Sequence, residues 1–150
     1  MTKILFVCLG NICRSPMAEM ILRDMVRRRG LEAEFVIASA ATSTEEIGNP
    51  VYPPARRMLA AHGIDCAGKR AVQLTRADYD RYNLLFGMEQ RNVQRMRAIC
   101  GGDPAGKIAR LLDGTPNPRD IADPWYTGDF QSTWDDLVEG CTALLDRLGS

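Results

Sequence analysis

One stretch, Phe6-Val7-Cys8-Leu9-Gly10-Asn11-Ile12-Cys13-Arg14-Ser15-Pro16, narrows what this chain can become more than any other. Ile4 to Val7 is a short apolar, β-favouring run of the kind that forms a buried strand. Gly10 and Asn11 tolerate left-handed backbone. Ser15 followed by Pro16 predicts a helix start, with Ser as N-cap and Pro at the first helical position. A strand, a tight polar loop and a helix in that order wrap backbone N–H groups around one point. A nest of amides backed by a helix dipole is an anion site. Cys8 falls at its rim and Arg14 at its far end, with five residues between them. A thiol facing such a concavity should ionise easily, and the thiolate is the form that attacks. Arg14 can hold two phosphate oxygens with its planar fork. The expectation is a phosphoryl-transfer site in which Cys8 and Arg14 flank the loop Leu9, Gly10, Asn11, Ile12, Cys13 and Ser15.

The remaining chain alternates strand and helix. Met17, Met20, Ile21, Met25 and Val26 recur at helical spacing between Pro16 and Arg29, and Gly30 stops that helix. Phe35 to Ala38 is a second strand. A small, polar loop from Ser39 to Pro50 is long enough to wall a site. Pro53 and Pro54 open a helix through Ala55 to His62, closed by Gly63; His62, the only histidine, suits its C-cap. Thr75 caps a helical turn to Tyr79 with Asp78 at N3. Tyr82 to Phe86 is a third strand, Glu89 to Ile99 an amphipathic helix, and Lys107 to Leu112 a fourth strand. Thr115 to Tyr126 carries three prolines and reads as loop. Thr127 or Asp129 opens a closing helix whose stripe includes Phe130, Trp134, Leu137, Cys141 and Leu144.

This order predicts right-handed β-α-β units and a parallel sheet covered on both faces, an α/β class. In such sheets ligands bind beyond the carboxyl ends of the strands. Cys8, Ser39 and the Asp123 loop all follow strands and should meet at one edge. The length of 150 residues suits one domain over 1–150.

Composition removes several classes of function. Formal net charge is zero, so no global field recruits nucleic acid or an anionic membrane. The apolar run before Gly10 is too short to span a membrane, and no small-residue cleavage site follows it. Five cysteines without CxxC spacing argue against a disulfide framework and a zinc site; no metal and no cofactor is expected. A reduced, cytoplasmic protein is expected, and a monomer.

Attack on phosphorus also needs a proton for the departing oxygen, and the loop contains no acid. Asp123-Pro124-Trp125-Tyr126 supplies the best candidate. Pro124 holds Asp123 extended, so its carboxyl can project. Trp125 and Tyr126 form an apolar wall that favours the protonated acid. An Asp-Pro pair by itself equally suits an Asx turn, and a lone Cys ending a strand equally suits a small buried hydrophobe.

Across its whole length the chain resembles the low-molecular-weight protein tyrosine phosphatases. The resemblance rests on CLGNICRSP near the N-terminus and on DPWY some way past residue 120. GNPVYPPARRMLAAHGI and LLFGMEQRN between them are similar to that family's segments. It implies a three-layer, flavodoxin-like (phosphotyrosine phosphatase I-like) sandwich with strand order 2-1-3-4. It further implies that Cys8 is the nucleophile and forms a phosphocysteine, that Arg14 binds phosphate, and that Asp123 is general acid and then base. Asn11 and Ser15 would hold the loop and hydrogen-bond the sulfur, and Ser39 would brace Asn11. Cys13 matches a second loop cysteine that forms a reversible disulfide with the nucleophile; packing accounts for it as well. Substrates would be phosphotyrosine proteins and small aryl phosphates, and a cognate tyrosine kinase would be a partner.

The chain departs from the family pattern at two walls. Trp125 stands where a tyrosine is common, and Glu45 falls near the position of a tryptophan. An acidic Glu45 disfavours acidic residues flanking the target. Ile12 stands where the related arginine phosphatases carry Thr, which favours phosphotyrosine. Three rivals share the fold or the loop. Arsenate reductase needs two further cysteines near the third strand, and Leu84 to Glu89 holds none. Protein-arginine phosphatase is set against Ile12. A non-catalytic phosphoprotein-binding module would have no use for Cys8, Arg14 and Asp123 together.

Overall fold

The computed structural model describes residues 1–149. Four parallel strands, β1 (Thr2–Cys8), β2 (Phe35–Ala41), β3 (Leu84–Gly87) and β4 (Ile108–Arg110), lie in the order β2-β1-β3-β4. This is the order that the family resemblance implied. Cys8 pairs with Ala41 at the top of β1, and Val7 pairs with Gly87 on the other side. The carboxyl ends of the three strands therefore finish together.

The described residues also form six helices: α1 (Arg14–Arg28), α2 (Pro53–Ala61), α3 (Arg76–Arg81), α4 (Gln90–Cys100), α5 (Pro124–Thr127) and α6 (Phe130–Leu148). Alternate residues of β1 point to opposite faces. Ile4, Phe6 and Cys8 join the core formed with Met17 of α1, Leu59 of α2 and Leu144 of α6. Leu5 and Val7 join the other, with Val93 and Met96 of α4. Cys8 is thus placed on the α1/α6 face by the parity of the strand. Gly140 lets α6 approach the sheet edge: a Cβ there would lie 2.6 Å from Leu111 Cγ.

Several boundaries differ from the sequence reading. Helix α1 starts at Arg14 with Cys13 at the N-cap position, and Ser15 is not the cap. Ser15 lies inside the first turn, where its hydroxyl is drawn back to the loop. Pro16 is still tolerated, because the N–H groups of a first turn have no intrahelical partner. Strand β4 stops at Arg110, and Leu111–Gly114 winds into a 3-10 turn that buries Leu111 and Leu112. Asp113 holds that turn by accepting from Arg110 N and Nε, each at 2.9 Å. The segment read as loop through Tyr126 contains α5, capped by Asp123 itself. Strand β2 runs on to Ala41 because Ala40 and Ala41 complete the pairing with Val7 and Cys8. Thr75 and Asp78 form the expected capping box, and His62 is the C-cap of α2, stacked 3.8 Å from Trp134. No helix among the described residues is long and apolar enough to cross a membrane.

Candidate active site

The loop after β1 folds back on itself because its carbonyls are taken by its neighbours. Cys8 O accepts from Thr42 N, Leu9 O from Ser43 N, and Ile12 O from Tyr52 N, at 2.8–3.0 Å. Among the described residues, no backbone N–H from Leu9 to Cys13 has a protein acceptor. Carbonyls tied outward and amides left inward make an anion nest at the start of α1. Among the described residues, Asn11 is the single non-glycine residue with positive φ, at 57°. Gly10 is not in that region. It is small because a Cβ would come within 3.3 Å of Glu46 Cγ.

Behind the loop runs a buried chain of polar side chains whose proton directions follow from elimination. Asn11 Oδ1 accepts from Val72 N at 3.1 Å, which fixes the amide. Its two N–H bonds then go to Ser15 Oγ at 2.7 Å and Ser39 Oγ at 2.9 Å. Ser39 Oγ donates its one proton to Glu19 Oε1 at 2.5 Å. Ser15 accepts from Asn11, so its own proton is available to Cys8 Sγ, 2.9 Å away. Glu19 is 2% exposed and is held by Arg23 at 2.8 Å and Lys69 at 3.5 Å. Burial pulls the Lys69 ammonium below the ordinary lysine range, against the upward pull of Glu19. Lys69 also donates to Ser39 O at 3.1 Å.

Arg14 is 1% exposed, and its guanidinium is anchored by donation to Ile121 O at 2.9 Å. Its second nitrogen faces two carboxylates, Asp123 at 3.4 Å and Glu89 at 3.6 Å. Asp123 presents one oxygen to Arg14 and accepts Trp125 N on the other, at 3.0 Å. The expected Asx geometry before proline and the projecting carboxyl are therefore both present. Cys8, Arg14, Asp123, Leu9, Gly10, Ile12, Cys13, Glu45, Trp125 and Tyr126 line one cleft of about 140 Å³. Asn11, Ser15 and Ser39 are not at its surface; they stand behind it, all at most 1% exposed. Tyr52 leans on Trp125 with ring centroids 4.6 Å apart, and Phe130 lies 6.3 Å from Tyr52.

Cys13 shares the cleft, and burial, together with the negative charge of Cys8, Asp123 and Glu46, pushes its thiol up to about 12 against the pull of Arg14. All five cysteines are free and buried. Cys66, Cys100 and Cys141 line no part of the cleft. No group of His, Cys, Asp and Glu among the described residues is arranged to hold a metal ion.

Sequence reasoning missed Glu19, Lys69, Glu46, Glu89 and Tyr52. Glu19 was detectable: it lies four residues after Ser15 on a helix whose neighbouring positions are apolar, so the two share a face. Glu89 directly follows β3, where the carboxyl-end rule places ligand-facing residues. Lys69 carried no signal, because only the tertiary fold brings it to Glu19.

Residues 3–150 match the family described as low molecular weight phosphotyrosine protein phosphatase. The low molecular weight protein-tyrosine-phosphatase YfkJ of Bacillus subtilis is 38% identical over 147 residues, covering 97% of this chain and 94% of its own length. Its crystal structure matches with a TM-score of 0.95 over 99% of this chain and 95% of that one. The low molecular weight phosphotyrosine protein phosphatase of Gallus gallus is 35% identical over 150 residues, 97% of this chain and 94% of its own. A Drosophila arginine phosphatase is 25% identical with a TM-score of 0.89, each chain covered to 99%. The backbone alone therefore does not separate the two substrate classes. Matched over nearly its whole length in sequence and in strand order, this chain belongs to the low molecular weight protein tyrosine phosphatase family.

Proposed function

We propose that the chain hydrolyses phosphotyrosine in proteins, and small aryl phosphates, through a phosphocysteine. Cys8 Sγ attacks phosphorus as the thiolate, and an S–P bond forms as the P–O bond to the phenol breaks. Asp123, protonated for this step, gives its proton to the departing phenolate oxygen. The loop amides and Arg14 take the charge on the equatorial oxygens. Asp123 then accepts a proton from water, which attacks phosphorus and releases Cys8 and inorganic phosphate. The polarity of the buried chain supports this, because it aims the Ser15 proton at the sulfur that carries charge before and after transfer.

The observation that carries the reading is the meeting of Cys8, Arg14 and Asp123 in one cleft whose loop amides are free. An aryl substrate fits better than phosphoarginine, because Ile12, Trp125 and Tyr126 give the mouth apolar walls. In this reading no cofactor or metal takes part, and a tyrosine kinase supplies the substrates. Residues 1–150 then act as one catalytic domain, a monomer in the cytoplasm. Cys13, which lines the same cleft, would in this reading serve as a reversible disulfide partner for Cys8. The test is phosphate release from phosphotyrosine, phosphoarginine and phosphoserine peptides, with Cys8→Ser alongside. Release from phosphotyrosine alone, lost in Cys8→Ser, is expected. Faster release from phosphoarginine, or activity retained without the sulfur, overturns it.

A further inference from the structure

A second groove of about 400 Å³ opens directly off the cleft and shares Ile12, Glu46 and Trp125 with it. It runs past Tyr52 to Arg56 and Arg57 on the first turns of α2. The shared residues set the two depressions side by side, with Ile12, Glu46 and Trp125 on their common border. The groove's floor is apolar where Tyr52 packs at a tilt against Trp125, and its charge changes sign along its length. Glu45 and Glu46 stand at the catalytic mouth, and the two arginines stand at the far end.

Several arginines of the fold are already neutralised: Arg23, Arg110 and Arg119 are each tied to a carboxylate at 2.8 Å. Arg56 and Arg57 are exposed and, among the described residues, have no such partner. Glu46, by contrast, is already engaged, accepting from Asn49 Nδ2 at 2.6 Å. Two adjacent unpaired cations at the end of an aromatic-floored groove are suited to carboxylate side chains on an extended peptide.

We propose that this groove reads the flank of the phosphopeptide, taking neutral or basic residues next to the phosphotyrosine and acidic residues further out, on the side that passes Trp125 and Tyr52. The inference rests on the phosphotyrosine reading above. Glu45 and Glu46 repel carboxylates close to the target, and Arg56 and Arg57 attract them beyond it. Selection is thus by the order of charges along the peptide rather than by its net charge.

The experiment walks a Glu pair outward, one position at a time, along each flank of a neutral phosphotyrosine peptide, and measures kcat/KM for each. A loss at the nearest positions is expected, then a gain of about threefold to tenfold further out on one flank only. The gain should shrink as salt is raised. In Arg56→Ala/Arg57→Ala the ratio of acidic to neutral peptide should fall to about one, and in Arg56→Glu/Arg57→Glu a distal Lys pair should become the favoured one. A flat walk, or a gain that survives both double variants, overturns the proposal. Phosphate release from p-nitrophenyl phosphate by the unaltered protein separates the two levels. Turnover there with a flat walk rejects the groove alone, and its absence rejects the phosphatase reading and the groove with it.

Discussion

Ser39 Oγ donates to Glu19 Oε1 across 2.5 Å, deep beneath the loop that carries Cys8. That bond and the Val72 N–H held by Asn11 Oδ1 together decide which way the hydroxyls and the amide above it point. A carboxylate can only accept, so Ser39 must accept from Asn11, and the Ser15 proton is left for the sulfur.

Glu19→Gln removes this compulsion at Ser39, since a side-chain amide both donates and accepts, while Val72 N still holds Asn11, and it leaves Lys69 without its counter-ion. Turnover should fall about tenfold, the kinetic equivalent of one well-placed hydrogen bond. Ser39→Ala should cost a similar amount. Because both act through one chain, the double variant should be little worse than the poorer single variant. Steady-state kcat for the four proteins closes the cycle, and losses that multiply would show two independent contributions.

Asp123 has two occupations that a substitution can separate. It caps α5 through Trp125 N and it faces Arg14 in the cleft. Asp123→Asn keeps an acceptor for the cap and removes the transferable proton. Turnover on phenyl phosphates with poor leaving groups should fall by about 10²–10⁴, and on activated ones far less. The dependence of kcat/KM on leaving-group pKa should therefore steepen. Equal losses across the series would show that only the positioning of α5 had been disturbed.

Local rules were enough to read the four strands, every helix but α5, the Thr75–Asp78 box and the loop itself, because each depends on residues within a few positions of one another. The family resemblance added the strand order and the roles of Asn11, Ser15 and Ser39. What stayed hidden depends on distant pairings. The start of α1 moves to Arg14 because Ser15 is recruited by Cys8 and Asn11, a tertiary demand that outweighs its preference for capping. Strand β4 is cut short by the Arg110–Asp113 contacts and by the burial of Leu111 against α6. Lys69 reaches Glu19 only after β2 and the segment beyond α2 have docked. Glu46 became a wall residue because Gly10 leaves room for its side chain.

Gly140→Ala tests how closely α6 is pressed onto that edge. An added methyl would meet Leu111 Cγ at 2.6 Å and Leu111 Cδ2 at 2.9 Å. Overpacking of this kind costs about 1–3 kcal/mol. Urea unfolding should show the loss, and it should be smaller in a Leu111→Ala background, where the space is already open. An unchanged midpoint would show that α6 can shift away without cost.

Stability should decline in alkali. Burial, its first cause, raises the Cys13 thiol to about 12 and the Cys141 thiol further still, from an ordinary value of 9.0. Cys66 and Cys100 are raised by burial in the same direction. A raised thiol keeps its proton in the folded chain while the unfolded chain loses it. The folded state therefore binds more protons above pH 9, and stability that is complete below that pH is lost as pH rises. Each strongly raised thiol contributes a slope of up to about 1.4 kcal/mol per pH unit. Lys69, lowered by burial, works the other way as pH approaches its ordinary value of 10.5, but it stands against the four thiols and against Tyr79 and Tyr82, which burial also raises. Urea midpoints at a series of pH values above 9 should fall, and the fall should be shallower in Cys141→Ala.

On the disulfide pairing proposed above, the same raised thiol should set the rate at which Cys13 protects Cys8 once peroxide has oxidised it. Peroxide converts the Cys8 sulfur to a sulfenic acid. The Cys13 thiolate then attacks that sulfur, the S–S bond forms and hydroxide leaves. Only the ionised fraction of Cys13 reacts, and because burial keeps that thiol above its ordinary value even after the Cys8 charge is gone, the fraction grows about tenfold per pH unit across the neutral range. Disulfide formation should therefore accelerate steadily from pH 7 to 9 without a plateau. Asp123 and Glu46 both hold the thiol up, so Asp123→Asn and Glu46→Gln should each speed the step, and loss of the Arg14 charge should slow it. Quenching with an alkylating reagent and weighing the peptides by mass spectrometry gives the rate directly. In Cys13→Ala the same peroxide dose should carry Cys8 on to the sulfinic acid, and activity should no longer return with dithiothreitol. Full recovery in that variant would mean that Cys13 only fills space beneath the loop.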